Sequence, residues 1–338
     1  MGNPESRKLN MARAISEAIA QEMRIDESVF CMGEDIRYVG GIWGHTAGLH
    51  EEFGDSRVID TPISETAFIG AGAGAAMAGM RPIVELMFAD FFGVCMNSIY
   101  SAAAKTHFMS GGQVSVPMVI NTAVGGGYGD AAQHSQCLYS TFAHMPGLKV
   151  VMPSNAYDAK GLMTAAIRDD NPVVFMLHKN LLGVPFLGDE RRATKPVPRY
   201  QFTLPLETAS IVREGNDVTF VSIGVGVYHC LTAADQLAAE GVNAEVIDAI
   251  SIAPLDRESI AKSVKKTGHL VVVEDDYRSY GFASEVIASV TESCHSNLKR
   301  APLRITYPDV SVPFSPPLED YCLPNPEKVK AAASALLL

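Results

Sequence analysis

The sequence predicts an α/β fold made of two doubly wound domains, and three observations predict it. Apolar, β-branched runs alternate with helix-like stretches along nearly the whole chain. β-branched runs separated by helical stretches imply a mostly parallel sheet covered on both faces. The alternation breaks once, at a charged and proline-rich stretch over 188–205. At 338 residues and 47% hydrophobic, the chain has length and material for two cores. The expected domains are 1–187 and 206–338, with 188–205 as a linker.

The elements follow in order. After a polar start, 9–23 reads as an amphipathic helix, and "VFCMGED" as a short strand. "RPIVELMF" and "VPMVINTA" read as buried strands, followed by "LKVVMPS" and "PVVFMLH", with "DAKGLMTAAIRD" as the helix between the last two. Beyond the linker, "DVTFVSIG" is a strand and "YHCLTAADQLAAEG" a helix ending at Gly241. The strands "NAEVIDAI" and "HLVVVEDD", the helix "FASEVIASVTESC" and the strand "PLRITYP" complete the second domain. No internal repeat or low-complexity tract interrupts the pattern.

Net charge is −11, which argues against nucleic acid or an anionic membrane as a main partner. Six cysteines stand far apart, in neither a CxxC pair nor a metal-ligand spacing, which fits buried thiols in a reducing compartment. No secretory signal is visible, and the longest uncharged apolar run, 66–80, is glycine-rich and short of the ~20 residues that span a bilayer. The expected location is the cytoplasm.

Two stretches are candidate sites. In "DTPISETAFIGAGAGAAMAG" the glycines superficially resemble a dinucleotide-binding loop, but that loop follows a strand and precedes its helix. Here Pro62 suits a turn and Ser64 a helix cap, so the glycines fall inside a helix. With small residues all round and no polar face, 67–79 is expected to be buried on every side. Glu65 then stands at the edge of a dry helix, where it either caps the first turn or does chemistry. The residues alone leave both open. The second stretch, "GGGYGDAAQHSQ", follows a strand where α/β proteins place binding loops. Its His134 either shuttles protons or bonds neighbouring backbone. The acidic cluster "EDD" at 274–276 reads as a solvated strand end. No GxSxG elbow, GxxxxGK[ST] loop or HExxH is present, which points to a binding protein or to an enzyme whose cofactor does the hard chemistry.

Taken together, "DTPISE", "AAMAGMRPIVE", "AAQHSQ", "PGLKVVMPS", "DAKGL" and "IRDDNPVV" resemble the beta subunits of thiamine-diphosphate-dependent 2-oxo acid dehydrogenases. "SIGVGVYHCLTAADQL", "VIDAISIAPLD", "VVVEDDYRSYGFASEV" and "PDVSVPFSPPLE" extend the resemblance over about 11–329. "ELMFADFFGVCMNSI" and "VSVPFSPPLE" lean towards acetoin dehydrogenase beta subunits, with the pyruvate and branched-chain enzymes close by. The resemblance implies a transketolase-like pyrimidine-binding domain followed by a transketolase C-terminal-like domain, the latter serving assembly more than chemistry.

It also implies roles. Glu65 occupies the place of the glutamate that contacts the cofactor's aminopyrimidine ring and promotes its imino tautomer, so that the ring's exocyclic nitrogen takes the thiazolium proton. His134 would relay protons to the substrate or the lipoyl group. Phe91 stands where an aromatic ring lies beside the pyrimidine, and Phe88 is near it. A structural potassium ion would use the carbonyls of Met118, Ala166 and Ile167, the Asp169 carboxylate and Asn171; oxygen donors suit a hard cation. The family's magnesium-diphosphate motif, "GDG", is absent from this chain, and belongs on an alpha subunit. The implied partners are therefore that alpha subunit, in an α2β2 heterotetramer, and a lipoyl-bearing dihydrolipoyl acyltransferase. The glycine-rich helix would help pack the subunit interface. A non-catalytic assembly subunit and a self-contained transketolase-type enzyme are the competing readings; intact Glu65 and His134 argue against the first, and the missing motif and short chain against the second. Asn97 and Ser98 stand where relatives often carry Asp-Gln, Asn121 where they often carry Arg or Ser, and Asp130 adds an acid near the histidine.

Overall fold

The computed structural model describes residues 6–37, 40–184 and 190–338. It divides into two compact units, Met1–Gly125 with Thr141–Leu206, and Gly126–Ser140 with Glu207–Leu338.

The first unit begins with β1 (Ser6–Leu9), α1 (Met11–Ile25), β2 (Val29–Gly33), α2 (Leu49–Phe53), β3 (Val58–Asp60) and α3 (Glu65–Met77). There follow β4 (Arg81–Phe88), α4 (Phe92–Asn97), a π-helical turn over Ser98–Ala103, α5 (Ala104–Met109) and β5 (Val119–Val124). After α6 (Tyr139–Ala143) come β6 (Lys149–Val151), α7 (Ala156–Arg168), β7 (Val173–His178) and β8 (Lys195–Pro198). Its strands pair in parallel in the order β6-β7-β5-β4-β2-β3. The central strands β5 and β7 are buried at every position, as their uncharged sequences require.

Local chemistry sets several helix ends. The Asn10 side chain accepts the Arg13 N–H at 2.9 Å and starts α1; Asn155 accepts from Tyr157 and Asp158 and starts α7. Helices α1 and α7 are joined by Arg168, which grips the buried Glu22 carboxylate through two bonds of 2.8 Å. The fully buried Lys160 of α7 reaches Glu17 and the Pro198 carbonyl, each at 2.7 Å, and burial lowers its pKa to about 8.

The second unit contains β9 (Ser210–Arg213), β10 (Val218–Ser222), α8 (Gly226–Ala238), β11 (Ala244–Asp248), β12 (Ser251–Ala253) and α9 (Arg257–Thr267). It ends with β13 (Leu270–Tyr277), α10 (Phe282–Cys294), β14 (Leu303–Tyr307), α11 (Pro316–Cys322) and α12 (Pro326–Leu337). Its sheet runs β14-β13-β10-β11-β9, parallel except for β9 at one edge. Val218, Phe220, Val246, Val271 and Val273 of that sheet share a core with Val227, Cys230 and Leu237 of α8 and with Val329, Ala333 and Leu336 of α12.

The two-domain α/β architecture is as expected from sequence. Several details differ. Helix α1 starts two residues later than the expected 9–23 because β1 precedes it and pairs antiparallel with β8. Strand β8 lies inside the stretch read as a linker, whose residues 190–205 pack with the first unit; 188–189 lie outside the described residues. The short strands β1, β3, β8, β9 and β12 span three to four residues each, too few for periodicity to register. Among the described residues, no helix is long and apolar enough to cross a membrane.

Candidate active site

Helix α3 contains Gly70, Gly72 and Gly74 in its interior, as expected. The glycine at 72 permits a close approach: a Cβ there would lie 2.5 Å from Val84 Cγ2 of β4. Glu65 is the first residue of α3 and is buried. Ser64 occupies the cap position, but its hydroxyl donates to the Pro62 carbonyl rather than accepting a helix N–H. The first turn is fastened instead by Thr66 Oγ1 donating to the Val94 carbonyl at 2.6 Å, and by Ser98 Oγ donating to the Thr66 carbonyl at 3.0 Å.

One expectation about this helix is corrected. Within the chain α3 is not buried on every side: Phe68, Ile69, Gly72, Ala73 and Ala76 face inward, while Thr66, Ala67, Ala71, Gly74 and Met77 are exposed. A helix with no polar face has nothing in its sequence to distinguish a face that packs on its own sheet from one that awaits another surface.

Glu65 belongs to a group of buried acids. Glu34, just after β2, is pushed up to about 7, chiefly by burial, with the nearby charges of Glu65 and Glu85 adding to it. Glu85 points from the middle of β4 and lies 2.8 Å from Nε2 of the buried His45. Asn121 is its direct neighbour across β4 and β5 and is fully buried. Among the described residues, Glu34 Oε1, Glu85 Oε1, His45 Nδ1 and both ends of the Asn121 amide find no hydrogen-bond partner. Each such atom costs about 1–3 kcal/mol when left unbonded. A mixed set of carboxylate acceptors and amide and imidazole groups suits a polar nitrogen heterocycle, and the residues present fit one. Cys95 feels the same field: burial first, and the Glu65 charge among lesser causes, push its thiol up to about 12. Sequence reading passed over Glu34, His45 and Glu85, although a glutamate in the middle of an otherwise apolar strand was a visible signal.

The aromatic residues at the end of β4 form a wall. Phe88 meets Trp43 edge-on at 5.1 Å and Phe91 at 5.5 Å, and the Lys179 ammonium lies 5.6 Å from the Phe88 ring. Trp43 donates to the Met87 carbonyl at 3.0 Å, which fixes its ring.

His134 lies in the second unit. It is half-buried at the end of a turn over Ala131–Gln133. The loop around it is unusual in its backbone: Ala131 (φ 58°) and Leu138 (φ 50°) are both left-handed without being glycine. Buried carboxylates hold it. Glu319 of α11 accepts the N–H groups of Gly127 (2.7 Å) and Gly129 (2.9 Å). The 274–276 cluster, read from sequence as a solvated strand end, is buried instead, because β13 carries it into the interior. Asp276 accepts backbone N–H groups of Tyr277, Leu138 and Ser140, and burial nevertheless raises it to about 6. Glu274 accepts the Tyr139 hydroxyl at 2.9 Å and the N–H groups of Phe282 and Ala283; burial outweighs those donors and pushes it up to about 8.

The residues implied for a cation gather at the C-terminal end of α7. Ala166 and Ile167 are in its last turn and Asp169 is its C-cap. The Ile167 and Asp169 carbonyls accept from the Arg81 guanidinium at 3.0 Å, and the Met118 carbonyl accepts the Val173 N–H at 2.9 Å. The Asp169 carboxylate takes Lys149 Nζ at 2.6 Å and the Asn171 N–H at 2.9 Å; although burial opposes its charge, these contacts hold it below the usual range. The donors are neutral carbonyls and one carboxylate at a negative helix end, which fits a hard monovalent cation sharing the second lone pairs.

Comparison with known proteins places the chain. Residues 7–185 match the pyrimidine binding domain of transketolase, and residues 207–329 its C-terminal domain. The beta subunit of acetoin:2,6-dichlorophenolindophenol oxidoreductase from Cupriavidus necator is 45% identical, covering 97% of each chain. The 2-oxoisovalerate dehydrogenase subunit beta of Bacillus subtilis is 42% identical over 96% of this chain and 97% of its own. The mitochondrial pyruvate dehydrogenase E1 component subunit beta of Homo sapiens is 42% identical over 95% and 89%. Among solved structures, a split gene transketolase described as an inactive beta4 tetramer superposes with TM-score 0.77 over 98% of this chain and 99% of its own; at 22% identity it supports the fold alone. The resemblance seen in the sequence thus holds along the whole chain, which belongs to the family of beta subunits of thiamine-diphosphate-dependent acetoin and 2-oxo acid dehydrogenases.

Proposed function

We propose that this chain is the beta subunit of an acetoin dehydrogenase that cleaves its substrate and reductively acylates lipoamide together with an alpha subunit. The carrying observation is the buried Glu65 carboxyl near Glu34, which in turn lies near Glu85, with Glu34 Oε1, Glu85 Oε1 and the neighbouring Asn121 amide finding no hydrogen-bond partner among the described residues. Acetoin is favoured over pyruvate and 2-oxoisovalerate by "ELMFADFFGVCMNSI" and "VSVPFSPPLE", and by the 45% identity to an acetoin-oxidising relative. The relatives named as beta subunits support an alpha partner that supplies the diphosphate and magnesium half of the site.

Bound thiamine diphosphate supplies a nucleophilic carbon and an electron sink. Everything else falls to the protein. The Glu65 carboxyl holds a proton against a ring nitrogen of the pyrimidine, in a setting made dry by the apolar side of α3. Phe88 and Phe91 exclude water from the ring and restrict its tilt. His134 carries a proton to or from the substrate oxygen, the kind of transfer that contributes roughly 10²–10⁴-fold. Met118, Ala166, Ile167, Asp169 and Asn171 hold potassium and stiffen the turn after α7. The exposed face of α3 packs at the subunit interface.

The test is reconstitution with an alpha-type chain that carries "GDG". Acetoin, pyruvate and 2-oxoisovalerate are each offered with thiamine diphosphate, magnesium and a dye or lipoamide acceptor. Acetoin-dependent reduction supports the reading. Preference for a 2-oxo acid reassigns the substrate, and thiamine-independent turnover sinks it.

A further inference from the structure

The resemblance assigns the C-terminal domain to assembly, yet the loop carrying His134 packs with that domain. We propose that three buried carboxylates of this unit, Glu274, Asp276 and Glu319, are positioning residues that hold the loop Gly126–Ser140 in the backbone conformation presenting the His134 imidazole. The proposal rests on the reading of His134 as the proton carrier.

The loop has little regular structure of its own. It contains one short turn, and Ala131 and Leu138 sit in left-handed conformations on either side of His134. Non-glycine residues in that region are strained and persist only when their surroundings over-determine them. Here the surroundings are carboxylates. On the N-terminal side Glu319 takes two N–H groups, from Gly127 and Gly129. On the C-terminal side Asp276 takes the N–H of the strained Leu138 and that of Ser140. The intervening Tyr139 is pinned through its hydroxyl to Glu274, and Asp276 N–H donates back to that oxygen at 3.3 Å. Closer to the histidine, Tyr277 donates to the Gln136 side chain at 3.0 Å.

The clamps are themselves fixed. Glu274 accepts two N–H groups at the start of α10, at 3.1 and 2.7 Å. Gly281 leaves no slack beside it: a Cβ there would lie 2.6 Å from Glu274 Oε1 and 2.5 Å from the Tyr277 carbonyl. Glu319 is held in α11 and packed against Gly126, whose Cβ would come within 2.9 Å of Oε1. Bonds from a carboxylate to backbone N–H groups, as Glu319 and Asp276 make here, are stronger than neutral ones and offset the strain they maintain. A loop needing only burial would not require acids at both ends.

Three mild variants test this: Glu319→Gln, Tyr139→Phe and Tyr277→Phe, with His134→Ala as reference. Hydrogen–deuterium exchange over residues 127–140 is measured on the chain itself, and kcat and KM on the reconstituted pair. We expect loop exchange to quicken about tenfold while the rest of the unit keeps its protection. We expect kcat to fall about ten- to hundredfold with KM within about twofold, because a displaced proton carrier slows the step it serves without weakening substrate binding. Should Glu319→Gln fail to fold, the Asp276→Asn, Tyr139→Phe double variant decides the matter. Wild-type exchange and kcat in that double variant overturn the proposal, as does a kcat loss with unchanged loop exchange. If His134→Ala keeps full activity, the catalytic reading of His134 is lost, and the exchange data still report whether the carboxylates hold the loop.

Discussion

Two buried groups of acids, one in each unit, look alike in composition and differ in what their oxygens touch. In the group that includes Glu65, oxygens of Glu34 and Glu85 and both ends of Asn121 lack hydrogen-bond partners among the described residues. Around His134, Glu274 and Glu319 each collect two or more backbone or hydroxyl donors, and Asp276 collects backbone N–H groups. The same residue type thus serves two ends. Acids left wanting partners mark a place where a ligand completes the bonding, whereas acids saturated by N–H groups hold a backbone that would otherwise relax.

The largest effect is expected at the unsaturated group. Glu65→Gln should lower turnover of the reconstituted pair by about a thousandfold, within the 10²–10⁴ range for a positioned acid or base, while the assembly elutes at its normal size. Wild-type turnover would refute the assignment.

Packing predictions come next. In Gly72→Ala the gain in helix propensity is about 1 kcal/mol, but the new methyl meets Val84 at 2.5 Å. Overpacking of this kind costs about 1–3 kcal/mol, so the melting temperature should drop. Gly74→Ala is its control. No atom lies within 4 Å of that Cβ, so the isolated chain should gain stability. The assembled pair should dissociate more readily, because that face packs on a partner in the proposed assembly. Tighter association in Gly74→Ala would remove α3 from the interface.

The pH prediction separates the two groups more finely. Glu274 sits near 8 in the fold against an ordinary 4.5, so the folded state binds its proton more tightly than the unfolded chain. Its stabilising contribution is complete below pH 4.5 and is lost as pH rises through 8. Glu34 behaves likewise, with the loss over 4.5 to about 7. Glu274→Gln should therefore flatten the fall in melting temperature up to pH 8, and Glu34→Gln only the part below pH 7. An unchanged profile in Glu274→Gln would show that its three donors keep it charged.

The smallest effect is expected from the cation. Replacing potassium by choline should lower stability by about 1–3 kcal/mol if the ion binds the folded state at a concentration well above its Kd. Asp169→Ala should abolish that difference. Equal melting in both salts would remove potassium from the account.

By itself the sequence determined the two α/β domains, the interior glycines of the 65–79 segment and the family, because β-branched runs, helix periods and ordered motifs are local signals. It singled out Glu65 by its isolation among Gly, Ala and apolar residues, and His134 by its place in a polar patch after glycines that follow a strand. The tertiary structure decided what surrounds them. Glu34 and Glu85 stand fifty-one residues apart in sequence and meet only because β2 and β4 are neighbours in the sheet. Glu319 and Gly127 are 192 residues apart, and no periodicity links them. "EDD" looks solvent-facing on the page because charge usually is. Its burial is tolerable because Phe282 and Ala283 N–H groups and the Tyr139 hydroxyl serve Glu274 while Leu138 and Ser140 N–H groups serve Asp276, and that match of acid to donor exists only once the chain has closed on itself.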